Sequence, residues 1–308
     1  MLSNKGKAYV AIIFAFVIIG TNPLLLRITA QSVTALEILT FRLTFAFLSA
    51  LIPMILGKVT LNITLRDFRA LLPTMLVYAV GFFTLQTLAL EAIPATGYGI
   101  IFALSPVATA VLASIFAKEK TNGRQIAFII ISVSGVIFIM LMSGADPDAF
   151  GTRGTVLTIM TVLSFAATTI LLRRSSATYT AHTITFMVAA TGTVIFNIAL
   201  IAVRLSEGTL GQFFSPLADW RILLAAAFLG CAGMFGTSFL QSYGLRQIES
   251  AKVVVFSNLS TAVTIFAGAV FLAESLYWYH ILGAIAIAIG VVGTNRAGNR
   301  VRPAEANK

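Results

Sequence analysis

Two stretches of the chain are similar enough to indicate an internal duplication. Residues 81–138 read GFFTLQTLALEAIPATGYGIIFALSPVATAVLASIFAKEKTNGRQIAFIIISVSGVIF, and residues 236–293 read GTSFLQSYGLRQIESAKVVVFSNLSTAVTIFAGAVFLAESLYWYHILGAIAIAIGVVG. They align without gaps at an offset of 155 residues, which places Gln86 on Gln241. A repeat at a fixed offset indicates two structural units of the same kind.

The amino-acid composition indicates whether these units fold in water or in a membrane. Hydrophobic residues make up 58% of the 308 residues, charged residues only 10%, and the mean hydropathy is +0.95. A water-soluble chain of this length needs many more charged side chains to cover its surface. The composition therefore excludes a soluble domain and predicts an integral membrane protein.

Ten apolar segments have the length of a membrane-spanning helix, which is about 20 residues. They are residues 7–26, 36–56, 70–90, 95–117, 124–143, 154–172, 180–203, 221–243, 250–273 and 277–294. The predicted fold class is an all-α integral membrane protein with ten transmembrane helices.

The repeat divides these ten segments into two groups of five. Segments three to five match segments eight to ten, and further upstream LTFR at 39–42 aligns with ITFM at 184–187. Because five is odd, the second group enters the membrane in the opposite direction, as in the inverted repeats of many secondary transporters. We expect a first repeat over 1–144, an inverted second repeat over 145–296 and a tail over 297–308.

Basic residues predict the orientation, because short loops rich in Lys and Arg stay in the cytoplasm. Most of the 21 Lys and Arg residues fall in segments on the same side as the N-terminus. This predicts a multi-pass protein of the cytoplasmic (inner) membrane with both termini in the cytoplasm. The net charge of +10 is spread over several loops, which favours anionic lipid headgroups over nucleic acid as its counterpart.

Several motifs resemble those of the drug/metabolite transporter superfamily and its EamA-type exporters. They are ASIFAKEK at 113–120, GAVFLAES at 268–275, SPVATAVLA at 105–113 and the pair Phe41 and Arg42 in segment two. The resemblance covers nearly the whole chain. It implies a ten-helix bundle in which helices one, three, four, six, eight and nine surround a central cavity, helices five and ten lie at the periphery, and small organic solutes are exported.

Polar and aromatic residues at helical spacing mark the expected cavity on those same helices. Tyr78, Phe82 and Gln86 recur every four residues, and Gln86 and Thr109 have polar counterparts in the second repeat. The predicted substrate-binding residues are Asn22, Tyr78, Phe82, Gln86, Tyr98, Phe102, Ser105, Thr237, Gln241, Ser257 and Asn258. The alternative is that the small polar residues only allow helices to approach closely and to hydrogen-bond across their interfaces.

Four residues are candidates for gating or coupling. Pro23 and Pro106 each remove a backbone donor, which produces either a functional bend or a tolerated kink. Arg42 lies inside segment two, where it either anchors the bundle through a counter-charge on another helix or contacts a substrate carboxylate. Glu37 could couple transport to protons from the rim; otherwise the substrate gradient or exchange drives transport.

The motifs of enzymes are absent from the sequence. There is no Walker loop and no H-E-x-x-H motif, and we expect neither a cofactor nor a metal. We expect a carrier of small molecules surrounded by membrane lipids, working by alternating access as a monomer or weak homodimer. The scarcity of fixed charge favours neutral, zwitterionic or amphipathic solutes such as amino acids, other metabolites or drugs. A channel, a receptor or an assembly subunit is the rival class.

Overall fold

A computed structural model describes most of the chain. The described residues are 4–29, 32–61, 63–92, 98, 101–102, 104–116, 122–142, 152–260, 262–263 and 277–298. The expected boundary between the repeats at 144/145, the glutamate-bearing ends of ASIFAKEK and GAVFLAES, and most of the expected tail lie outside these residues.

The described residues form helices, turns and connecting segments, with no strand among them. Six helices are long and apolar enough to cross a membrane, and shorter apolar helices accompany them. We number the helices in chain order as α1 (Asn4–Thr29), α2 (Ala35–Ile55), α3 (Leu65–Ala92), α4 (Ser105–Phe116), α5 (Gly123–Met142), α6 (Thr152–Ser176), α7 (Ala181–Ser206), α8 (Trp220–Leu245), α9 (Ser250–Val254) and α10 (Trp278–Gly298). The prediction of an all-α membrane fold is confirmed.

Capping residues determine where α2 and α3 begin. Thr34 accepts a hydrogen bond from the backbone of Glu37, whose carboxylate accepts one in return from the backbone of Thr34 at 2.8 Å. Thr64 and Asp67 form the same reciprocal pair at the start of α3. Each pair satisfies backbone donors that the first turn of a helix leaves without partners.

The contact between α5 and α10 shows that the two repeats are inverted. A Cβ added at Gly135 would lie 2.8 Å from the carbonyl oxygen of Gly283, and one added at Gly290 would lie 2.7 Å from that of Phe128. The offset of 155 carries Phe128 onto Gly283 and Gly135 onto Gly290, so each contact is the repeat image of the other. Because residue numbers rise along one helix as they fall along the other, these equivalent helices are antiparallel.

The helices α2 and α7 repeat this arrangement. Thr193 donates to the carbonyl oxygen of Leu43 at 2.8 Å, and Thr40 donates to that of Phe196 at 3.1 Å. The numbering again runs in opposite directions on the two helices. The prediction of two inverted repeats is thus confirmed by two pairs of equivalent helices.

Two of the helices contain a π-helical segment at equivalent places. In α3 it spans Leu76–Phe82, and in α8 it spans Cys231–Gly236. The offset of 155 carries the first residue of one onto the first residue of the other. A π segment widens the helix and frees carbonyl groups, and such segments occur frequently at functional sites.

Two further helices are interrupted rather than widened. Leu104 lies in a turn, and α4 begins at Ser105 with Pro106 in its first turn, where the missing backbone donor costs little. After α9 a turn at residues 255–256 precedes a helical stretch at 257–260. Discontinuous helices of this kind surround the substrate sites of many transporters.

The bundle has two faces, which we name from α1. The N-terminal face holds the start of α1, and the far face holds its end. On the N-terminal face Tyr179 donates to Asp67 at 3.0 Å, and the Thr74 and Ser175 hydroxyls lie 2.9 Å apart. Partial burial and the neighbouring Asp67 carboxylate raise the pKa of the Tyr179 phenol, so this group remains a donor at neutral pH. Both contacts join the first repeat to the second.

An apolar cluster joins the two repeats at the far face. We call it the far cluster, and its buried members are Leu26, Val33, Ile38, Phe41, Leu200, Ile222, Ala226 and Leu229. Residues from α1 and α2 thus pack against residues from α7 and α8. Phe213, in the connection between α7 and α8, packs edge-on against Phe41 with ring centroids 6.0 Å apart. This connection covers the N-terminal part of α2, which lies at the far face.

Candidate functional site

All eleven residues predicted to bind substrate lie inside the bundle. Each is at most 9% exposed, and Ser105, Thr237, Ser257 and Asn258 are at most 1% exposed. A lipid-facing position would leave polar groups of this kind in hydrocarbon, which is unfavourable. Their burial is what a substrate-binding role requires, and that role stays a prediction.

Six aromatic side chains form a connected layer across α3, the residues before α4, and α6. Tyr78 stacks on Phe83 at 5.1 Å, and Tyr98 stacks on Phe102 at 5.3 Å. Phe165 joins the two groups, because its ring lies 5.2 Å from Phe102 and 5.5 Å from Phe82. We call these six residues the aromatic layer: Tyr78, Phe82, Phe83, Tyr98, Phe102 and Phe165.

Polar side chains link this layer to the second repeat and within the first. Ser238 of α8 donates to the Tyr78 phenol at 3.0 Å, and Gln86 donates to the Tyr98 phenol at 3.4 Å. Buried tyrosine hydroxyls usually find such partners. The layer is therefore apolar on its rings and polar at its edges, the combination typical of small-molecule sites.

Ser105 of α4 and Ser257, which follows α9, were both predicted to bind substrate, and their side chains meet directly. The Ser105 and Ser257 hydroxyls lie 3.0 Å apart, and Asn258 donates to Ser132 of α5 at 2.9 Å. These two contacts connect the first repeat with the second. They also match the alternative interpretation, in which small polar residues hold helices together.

The residues on α8 have different surroundings from their counterparts on α3. The Thr237 hydroxyl donates to the carbonyl oxygen of Gly233 at 2.7 Å, which satisfies a carbonyl of the π segment. Gln241 lies one turn further on and is 3% exposed. A Cβ added at Gly233 would lie 2.6 Å from Oδ1 of Asn22, so this glycine allows α1 to present an amide to α8.

Several buried polar atoms have no hydrogen-bond partner within the described part of the chain. They include Oδ1 of Asn22, Oε1 of Gln86, the Thr109 hydroxyl and all three side-chain nitrogens of Arg42. Because buried polar groups in proteins are nearly always paired, each of these atoms is a candidate contact for a ligand.

Pro23 does not break its helix, because α1 continues past it to Thr29. Pro106, in contrast, lies at the interruption before α4. A role for either residue in gating remains a prediction.

The counter-charge that we expected for Arg42 is not present among the described residues. No carboxylate lies within ion-pair distance, and the guanidinium instead lies over the Phe83 ring, 4.3 Å from its centroid. The expected ion pair to another helix is thus not found within the described residues, and it stays a prediction for the others. The carboxylate on the same helix, Glu37, is used elsewhere.

Glu37 forms an ion pair with Arg204 of α7. Its side chain is 8% exposed and that of Arg204 is 16% exposed, so the pair is largely shielded from solvent. It joins α2 to α7 at the far face, next to the far cluster. A role for Glu37 in proton coupling remains a prediction, and an ion pair that must break for the far face to open is compatible with it.

The Glu37–Arg204 pair predicts a non-additive mutant cycle. Glu37→Gln should lower the free energy of unfolding by about 1–3 kcal/mol, because it leaves the Arg204 charge without its partner. Arg204→Gln should cost a similar amount, and the double variant should lose about 1–2 kcal/mol less than the sum. Thermal unfolding of the purified protein in detergent measures this, with the exposed Glu207→Gln as control. Additive losses would show that the pair contributes nothing.

Sequence reasoning missed several residues of this site. Phe83 and Phe165 do not continue the spacing of four that identified Tyr78, Phe82 and Gln86. Ser132 lies on a helix expected at the periphery. The pairing of Glu37 with Arg204 could have been found from the sequence. Glu37 lies at the start of the predicted segment 36–56 and Arg204 just after the end of 180–203, so both belong near the same membrane face.

Comparison with known proteins agrees with the fold. The profile of the EamA-like transporter family matches residues 6–141 and 152–296. The chain is 37% identical over 292 residues to the "Uncharacterized transporter YcxC" of Bacillus subtilis (strain 168), covering 95% of this chain and 94% of that protein. It is 27% identical over 220 residues to the "WAT1-related protein At1g44800" of Arabidopsis thaliana, covering 60% of this chain and 56% of that protein.

A solved crystal structure shares the fold. It aligns with a TM-score of 0.73 at 14% identity and covers 96% of this chain and 98% of its own. An alignment at this identity establishes similarity of fold alone. The inverted bundle, the buried polar site and the family profile over both repeats together show that the chain belongs to the EamA-like transporter family, a group of multi-pass membrane transporters within the drug/metabolite transporter superfamily.

Proposed function

We propose that the protein exports small organic solutes across the cytoplasmic membrane by alternating access, with the solute held beside the aromatic layer between the two repeats. The observation that carries this proposal is the antiparallel contact of equivalent helices. Two inverted halves around one site can expose that site to either side by equivalent movements. The distribution of Lys and Arg supports a cytoplasmic N-terminal face.

Contacts between the repeats at both faces support this mechanism. Tyr179–Asp67 and Thr74–Ser175 join the repeats at the N-terminal face, whereas the Glu37–Arg204 pair and the far cluster join them at the other. Transport requires that one set separates while the other holds. The π segments of α3 and α8 supply equivalent places at which both halves can bend.

A cavity at the N-terminal face supports entry from that side. Its volume is about 390 Å³. Its lining residues come from α1, the end of α6, the connection from α8 to α9, and α9 itself: Lys5, Gly6, Tyr9, Arg173, Gln247, Ile248, Glu249 and Lys252. The cavity thus lies between the first repeat and the second. In the proposed orientation it opens towards the cytoplasm, as the loading side of an exporter should.

Reconstitution tests the proposal. Proteoliposomes should take up radiolabelled L-phenylalanine or L-threonine with saturable kinetics. Uptake should be faster into vesicles loaded with the same unlabelled amino acid than into empty ones. Such acceleration requires a carrier that reorients. Unsaturated flux without acceleration would indicate a channel instead.

Gln86→Leu should abolish this flux while the folded yield stays near that of the wild type. Leucine keeps most of the side-chain volume but removes the unpaired amide oxygen and the hydrogen bond to Tyr98. Gln212→Leu, on the exposed connection between α7 and α8, is the matched control and should transport normally. Lost yield with normal flux per folded molecule would show that Gln86 only holds helices together.

A further inference from the structure

Arg42 is the most unusual charged residue in the described part of the chain. Its side chain is completely buried, at 0% exposure, about 10 Å along α2 from its first residue. None of its three side-chain nitrogens has a hydrogen-bond partner. Arginine stays protonated in proteins, so this group is a cation in a low-dielectric interior.

Each described carboxylate either has another partner or lies at an exposed position. Glu37 pairs with Arg204 and caps α2, and Asp67 accepts from Tyr179 on the N-terminal face. Glu249 pairs with Lys252. The remaining described carboxylates, Glu91, Glu207 and Asp219, lie on exposed positions. No described residue therefore balances the buried charge of Arg42, which is strongly unfavourable unless a ligand supplies the anion.

The surroundings of Arg42 hold this charge ready for a ligand. The Phe83 ring lies under the guanidinium at 4.3 Å, and Tyr78 stacks on that ring. A cation–π contact fixes the plane of the guanidinium but leaves its N–H donors free. Those donors form a fork that matches a carboxylate with two parallel hydrogen bonds.

Two unpaired acceptors lie near the same layer. Gln86, with its free Oε1, follows Phe83 by one turn of α3. Asn22, with its free Oδ1, packs on Gly233, and Gly230 one turn earlier packs on the backbone of Arg42. Arg42 on α2 therefore contributes unpaired donors, and Gln86 on α3 and Asn22 on α1 contribute unpaired amide oxygens.

We propose that Arg42 binds the carboxylate of the transported solute, so that the protein carries small monocarboxylates with hydrogen-bond donors and rejects cationic drugs. The inference rests on the proposed transport function and narrows its substrate class. A carboxylate on Arg42 neutralises the buried charge, while hydroxyl or ammonium donors of the solute satisfy Asn22 and Gln86. A cationic solute without a carboxylate meets the unbalanced charge of Arg42 and is repelled.

Thermal unfolding of the purified protein without ligand is the first test. Arg42→Met has similar volume and no charge, so it should raise the unfolding midpoint by about 2 °C or more. Arg221→Met, at the exposed start of α8, is the control and should leave the midpoint unchanged. A lower midpoint for Arg42→Met would overturn the inference, because it would show that Arg42 anchors the bundle.

Ligand-induced stabilisation is the second test and needs no transport. A panel of the twenty amino acids and N-acetyl-L-phenylalanine supplies carboxylates, and L-phenylalaninamide and ethidium are cations without one. Members with a carboxylate should raise the midpoint of the wild type, the two cations should not, and Arg42→Met should weaken apparent binding at least about tenfold. Equal responses with and without a carboxylate, or no response to any carboxylate, would overturn the inference.

The two tests separate this inference from the proposed function. If the wild type binds carboxylates through Arg42 but no flux is seen in proteoliposomes, transport fails and the anion site stands. If Arg42→Met transports carboxylates as fast as the wild type, the anion site fails and transport stands.

Discussion

A disulfide between Thr74→Cys and Ser175→Cys should stop transport, and a reductant should restore it. The two hydroxyls lie 2.9 Å apart and join α3 of the first repeat to α6 of the second at the N-terminal face. Because the hydroxyls are already in contact, sulfur atoms in their place need only a small rotation of the side chains to reach bonding distance. Because that face must open for solute to enter, the oxidised protein should show at least about tenfold less amino-acid flux. Both substitutions are made in a Cys231→Ser background, which removes the single native cysteine.

A second cysteine pair controls for oxidation itself. The Thr180 and Thr183 hydroxyls lie 2.8 Å apart on the same face, but both are at the start of α7 in the second repeat. Oxidising that pair should leave flux unchanged. If the cross-link between α3 and α6 forms completely and flux persists, the halves do not separate at this face and alternating access of the proposed kind is wrong.

Gly230→Ala should lower the free energy of unfolding by about 3 kcal/mol or more, because the added methyl group has no space. Its Cβ would overlap the carbonyl oxygen of Arg42 and lie 2.6 Å from Cβ of Phe45. The first of these is a backbone atom, which cannot rotate away as a side chain can. The variant should therefore reduce the folded yield and the unfolding midpoint together.

Gly236→Ala is the matched control on the same helix. Its Cβ would meet only the Cys231 carbonyl oxygen at 3.4 Å, which is an ordinary contact. Since alanine favours a helix over glycine, this variant should remain within about 1 kcal/mol of the wild type or exceed it. Similar losses for both variants would show that α8 requires glycine for flexibility and not for close packing against α2.

The sequence predicted the fold well because its two strongest signals act over short distances. Apolar runs of membrane-spanning length identify helices without any tertiary information. The repeat then predicted the inversion, and the contacts of Gly135 with α10 and of Gly290 with α5 bear it out. The same signal placed every predicted substrate-binding residue inside the bundle, because polar residues repeated at helical spacing rarely face lipid.

The details of the site depended on helix geometry that the sequence pattern hides. The prediction of one continuous α3 at 3.6 residues per turn did not foresee the π segment at Leu76–Phe82, which changes how the following side chains are directed. The spacing of four residues had identified Phe82 as a site residue, but the ring that lies under the Arg42 guanidinium is that of Phe83. Phe165 entered the aromatic layer only through the packing of α6.

The sequence by itself determined the membrane environment, the ten apolar segments and the opposed repeats, since each follows from local hydropathy or from counting helices. Only the tertiary structure decided which charged side chains have an oppositely charged partner. Glu37 and Arg204 are far apart in the chain yet form a pair, whereas Arg42 is buried with no such partner among the residues that the structure describes. Electrostatic balance depends on distances between side chains on different helices, and only packing fixes those distances.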